Sequence, residues 1–134
     1  MKAVDTSVIV AAFASWHEAH HTARKALEAH PHLIAHCGLE SYSVLTRLPP
    51  PHRAPPALVA EFLAQRFPKG VLLLPTTAAS KVVTQCAALG IAGGAEYDAL
   101  IAITARHHGA TLQTLDVRAC STYGLLGTAF EPLV

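Results

Sequence analysis

The feature that most restricts the fold of this chain is an alternation. Short apolar segments recur along it, separated by longer stretches with helical spacing. Lys2-Ala-Val, Leu33 to Cys37, Val71 to Leu74 and Thr111 to Leu115 are too short for ordinary helices and rich in residues that suit strands. A fifth short strand is expected near Ala129-Phe130. Between them, helical patterns are predicted over Ser7–Ala14, His17–His30, Leu39–Leu48, Ala57–Phe67, Thr76–Leu89, Glu96–His107 and from Asp116 to about Leu126. The segment from Glu96 to His107 is apolar nearly all round, which predicts a central, buried helix. Alternating strands and helices fold into a mainly parallel sheet covered on both faces, a three-layer α/β/α arrangement. The Pro49–Pro56 connection is too short to separate domains, so residues 1–134 are expected to form one domain.

The acids are placed unevenly on this frame. The chain has three aspartates, Asp5, Asp98 and Asp116, and each stands beside one of the apolar segments. Glu40 follows another, His32-Leu-Ile-Ala-His-Cys. In a parallel sheet the carboxyl ends of the strands share one edge, where sites form, so four carboxylates are expected to converge there. Taken singly, an Asp at a helix start is a favoured cap, worth about 1 kcal/mol over Ala. Capping leaves unexplained why every Asp falls on the same edge. Converging carboxylates repel unless a hard divalent cation lies between them. The chemistry expected is therefore metal-assisted hydrolysis of a phosphate ester.

Composition narrows the classes further. Hydrophobic residues make up 51% of the chain and charged residues 14%, a core-rich balance that leaves apolar surface for a partner. The formal charge of +1 argues against a strongly basic coat for nucleic acid. No apolar run approaches the roughly 18 residues that span a bilayer, and the N-terminus leads straight into an expected strand, leaving no room for a signal peptide. Cys37, Cys86 and Cys120 are far apart and show no metal or redox spacing. A cytoplasmic location without membrane association is expected.

Four segments, in order, resemble the PIN-domain ribonucleases, and most closely the VapC toxins of bacterial toxin–antitoxin pairs. They are Asp5-Thr6-Ser7-Val8-Ile9-Val10, Leu39-Glu40-Ser41-Tyr42 running on to Pro49, Tyr97-Asp98-Ala99-Leu100-Ile101-Ala102, and Leu115-Asp116 with Arg118-Ala119 and Tyr123. The resemblance runs from Asp5 to Gly127. It implies a PIN-like fold and an endoribonuclease that depends on Mg²⁺ or Mn²⁺. Its acid quartet falls on Asp5, Glu40, Asp98 and Asp116, with Asp5, Asp98 and Asp116 holding metal. Thr6 and Thr114 match hydroxyl positions that support the acids. Asp116 is followed by Val117 rather than by the second acid some relatives carry. The resemblance further implies a VapB-like antitoxin that lays a basic side chain over the cleft, a toxin homodimer, and a structured RNA such as tRNA as substrate. Arg47 and Arg118 lie near acids in sequence and are candidates for contact with the RNA backbone.

Two rivals belong to other classes. One is a PIN-like adaptor that binds nucleic acid or protein without cutting; the complete quartet speaks against it. The other is a zinc protease, because His17-Glu18-Ala19-His20-His21 satisfies the H-E-x-x-H pattern. Pro31 and an intervening strand separate that pattern from Glu40, and its flanks read as a solvated helix face.

Overall fold

The structure, a computed structural model, describes residues 1–133. Five strands form one sheet, and every pairing in it is parallel: β1 (Lys2–Val4), β2 (His32–Ile34), β3 (Val71–Leu72), β4 (Thr111–Thr114) and β5 (Phe130–Pro132). The strand order is β3-β2-β1-β4-β5. Register is set at the centre, where Val4 lies between Leu33 and Gln113. From β1 the chain winds outward to β2 and β3, then returns to β4 on the other side. The reversal falls between β1 and β4, so the carboxyl ends of these two strands flank the crevice where open α/β sheets bind ligands.

Helices α1 (Thr6–Phe13), α2 (His20–Glu28), α3 (Ala35–Arg47) and α4 (Pro56–Arg66) follow β1 and β2 and pack on one another. The one-turn helix α5 (Thr76–Ala79), α6 (Val82–Ala88), α7 (Ala95–His107) and α8 (Cys120–Leu125) come after β3, and α7 packs against both α6 and α8. Right-handed crossovers in opposite directions along the sheet place the two sets on opposite faces. The three-layer α/β/α expectation is met. As its composition predicts, α7 is the central helix, with Ala99, Ile101, Ala102, Ile103, Thr104 and Ala105 buried. Its alanines admit close approach to the sheet, while Val4, Ile34, Leu112 and Tyr123 fill the space around it. No helix among the described residues is long and apolar enough to cross a membrane.

Several boundaries differ from the expectation. The strand expected over Leu33–Cys37 stops at Ile34, and α3 begins at Ala35 rather than Leu39. Its neighbour strands offer β2 only three residues of pairing, and Cys37, Ser41 and Leu45, spaced by four, bury one helical face. The helix expected from Thr76 to Leu89 is broken between Ala79 and Val82, where the Ser80 hydroxyl donates to the Thr77 carbonyl (2.8 Å) and competes with the helical ladder. The helix expected from His17 begins only at His20. The last helix is preceded by a 3₁₀ turn over Val117–Ala119, capped by Asp116.

Candidate active site

The residue after β1 is Asp5, which caps α1. Its Oδ1 accepts from the backbone N–H of Ser7 (3.0 Å) and Val8 (3.4 Å), and from the Ser7 hydroxyl. Its Oδ2 accepts from the Tyr123 hydroxyl of α8 at 2.8 Å. Asp5 is 2% exposed. Burial pushes its carboxyl above the ordinary carboxylate range, against the lowering effect of the Ser7, Thr114, Tyr123 and Val8 hydrogen bonds. Burial and the neighbouring Asp5 hold Tyr123 firmly in its neutral, donating form.

The residue pair after β4 repeats the arrangement. The Asp116 N–H donates to Thr114 Oγ1 (2.9 Å), and Asp116 Oδ1 accepts from the Ala119 N–H (3.3 Å). Ser7 ties the two strand ends together: its hydroxyl donates to Asp5 and accepts from the Leu115 N–H at 2.9 Å. Gly93 turns the chain into α7 at φ 63°, a left-handed conformation that side chains resist. The helix then sets Asp98 in its first turn. Glu40 comes from the second turn of α3, not from a strand end as the sequence suggested.

All four acids line one open cleft of about 700 Å³, together with Thr6, Ser7, Arg47, Tyr97, Arg118 and Tyr123. Asp98 is half-buried, and none of the described residues donates a hydrogen bond to its carboxylate. Burial raises its pKa first; Arg118 opposes that, and the charges of Asp116, Glu40 and Asp5 raise it further. Asp98 therefore lies within electrostatic reach of the other three acids.

The two candidate hydroxyls differ. Thr114 supports both Asp116 and Asp5. Thr6 lines the cleft, but its hydroxyl is buried without a hydrogen-bond partner among the described residues. Beside Tyr123, the hydroxyl that donates to Asp5 is that of the next residue, Ser7. Ser7 stood in a recognised segment without a role; its spacing of two from a capping Asp was the available signal. Tyr123 stood in a recognised segment without a role, and no local pattern could link it to an acid 118 positions away. Arg118 stands 3.5 Å from Asp116, and Arg47 donates to the Ser43 hydroxyl (2.8 Å).

The H-E-x-x-H pattern does not form a zinc site. His17 precedes α2, and its Nδ1 accepts from the Ala19 N–H (3.0 Å), while His21 lies inside the helix, so the two are not one helical turn apart. His17 and Glu18 instead sit on the wall of the acid cleft.

Among the described residues, no three His, Cys, Asp or Glu side chains stand close enough to hold a metal ion by themselves. That excludes a closed protein cage of the structural-zinc type. Mg²⁺ or Mn²⁺ differs in keeping several waters and taking one or two carboxylates plus substrate phosphate. An all-oxygen donor set, with Asp98 unbonded and opposed by three other acids, fits such a cation.

Comparison with known proteins follows the same line. The family model described as PIN domain matches residues 2–125. The chain is 47% identical over 131 residues to ribonuclease VapC40 of Mycobacterium tuberculosis, covering 98% of each protein. It is 42% identical to ribonuclease VapC27 of the same organism over 127 residues, covering 93% of this chain and 91% of the relative. With the parallel sheet, the acid-lined crevice and near full-length identity in agreement, the chain belongs to the PIN-domain family, among the VapC ribonucleases.

Proposed function

We propose that this protein is the toxin of a toxin–antitoxin pair, a single-domain endoribonuclease that hydrolyses RNA with Mg²⁺ or Mn²⁺. One observation carries the reading: acids from four separate segments line one cleft, and Asp98, whose carboxylate accepts no hydrogen bond from the described residues, feels the other three. Asp5, Asp98 and Asp116 share the hold on the cation, one or two of them directly and the remainder through its waters, and Glu40 orients the attacking water. When bound, the cation supplies polarisation of a phosphoryl oxygen and a lowered pKa for water. Asp5 is locked by four donors and Asp116 by its turn, so both are preorganised, and the site reorganises little during reaction. Asp98, free of such bonds, adjusts to the ligand. Arg47 and Arg118 position the RNA backbone from the cleft wall.

The proposed partners follow from the same family. A VapB-like antitoxin silences the protein by placing a basic side chain among the acids, and a second copy forms a homodimer. Apolar surface for such contacts is present at Leu39 (73% exposed) and Val117 (81% exposed). The substrate is a structured RNA of the tRNA class, met in the cytoplasm.

The test is incubation of the purified protein with total RNA in Mg²⁺, in EDTA, and with Asp98→Asn. Discrete cuts that require both the metal and Asp98 are expected. A folded, Mg²⁺-supplied protein that leaves all RNA intact would instead be an adaptor.

A further inference from the structure

Beside the acids stands an aromatic pair that neither the sheet nor the hydrolytic chemistry requires. Tyr97 precedes Asp98 in the first turn of α7, lines the cleft and is 56% exposed. The His36 ring, from the first turn of α3, lies parallel to it, with 5.4 Å between centroids and 2° between planes. His36 flanks the phenol ring on one side, and the remainder of Tyr97 stays open to solvent. The His36 Nε2 is shielded from solvent, has no hydrogen-bond partner among the described residues, and lies 3.6 Å from Glu40 Oε2, one helical turn along α3. A ring that already packs against a neighbour loses less freedom when a second plane docks on it.

We propose that Tyr97, backed by His36, is a stacking platform for a nucleobase adjacent to the scissile phosphate. The proposal rests on the ribonuclease reading above and assigns the residue that seats the base. An aromatic plane flanked by arginines is how single-stranded nucleic acid is gripped without base-edge readout: the ring takes the base, the cations take the backbone. Here Arg47 and Arg118 share the cleft with Tyr97. The neighbour relation of Tyr97 and Asp98 puts the stacked base next to the acid proposed to hold the cation. His36 lies between Tyr97 and Glu40, so the base and the water-orienting carboxylate are placed side by side.

The test separates binding from cutting. In an Asp5→Asn background, binding of a short fluorescein-labelled RNA of randomised sequence is measured by anisotropy in Mg²⁺. Tyr97→Ala is expected to weaken binding by about 5- to 150-fold, Tyr97→Phe by less than about twofold, and Tyr42→Ala, an exposed tyrosine of α3 outside the cleft, not at all. On one defined sequence, a single abasic position should cost the Tyr97 protein the same factor and cost Tyr97→Ala nothing more. Equal binding with and without Tyr97, additive losses at every abasic position, or no RNA binding by the folded protein would each overturn the platform. Wild-type cleavage unaffected by Tyr97→Ala sinks the platform and leaves the nuclease. Platform binding without wild-type cleavage sinks the nuclease and leaves the platform.

Discussion

The Tyr123 hydroxyl carries a prediction that can be worked through from its surroundings. Tyr123→Phe deletes one oxygen and leaves the ring, which is 1% exposed and packs edge-on against Phe130 at 6.1 Å. The lost bond is the 2.8 Å donation to Asp5 Oδ2, and Asp5 is 2% exposed, so water does not replace it. Hydrogen bonds to charged groups contribute about 1.5–3 kcal/mol, and a destabilisation of about 2 kcal/mol is expected. For a chain of this length that lowers Tm by about 8 °C. The pH dependence has a definite sign. Burial already raises the folded-state pKa of Asp5 above its ordinary 3.8. Stability conferred by the neutral carboxyl is therefore complete below that value and is lost as pH rises through the raised one. Removing a lowering hydrogen bond raises the folded pKa further and enlarges that loss. The gap between Tyr123→Phe and wild type should thus be largest at neutral pH and close as pH falls. Urea unfolding across pH in metal-free buffer measures it, with Asp5→Asn and the double variant completing a cycle. A penalty that is independent of pH, or no coupling in the cycle, would refute the assignment of this bond to the Asp5 carboxylate.

Three further outcomes follow from the same geometry. Asp98→Asn should abolish Mg²⁺-dependent cleavage yet raise Tm in metal-free buffer at neutral pH, because burial and three acids oppose the ionised form; Mg²⁺ at about 100 times its Kd should stabilise wild type by about 2.7 kcal/mol and this variant far less, read by calorimetry. Ser7→Ala strands the Leu115 N–H and removes a donor to Asp5; urea unfolding should show a loss of about 1–3 kcal/mol, with cleavage reduced as well. Gly93→Ala meets no neighbour within 4 Å but keeps φ at 63°, so thermal unfolding should show a cost of about 1–2 kcal/mol from backbone strain alone.

The division between what the chain states openly and what folding adds runs through particular residues. The sequence by itself determined the layer order, because strand and helix periods are local and alternate visibly along the chain. It also determined that Asp5 and Asp116 share an edge, since both follow strands of one parallel sheet. The central place of α7 was legible in its all-round apolar composition. Weak local signals misled at α3, where Ala35-His-Cys-Gly offers no side-chain cap and reads as strand. The H-E-x-x-H pattern misled differently: it matches a spacing, but the helix that spacing requires starts three residues too late. Only the tertiary structure decided how the acids are held. Tyr123 reaches Asp5 across 118 positions, Ser7 joins Asp5 to Leu115 across 108, and His36 stacks on Tyr97 between two helices. Those contacts depend on where α3, α7 and α8 dock on the sheet, and docking is set by the shapes of buried side chains, a non-local property that no stretch of sequence displays.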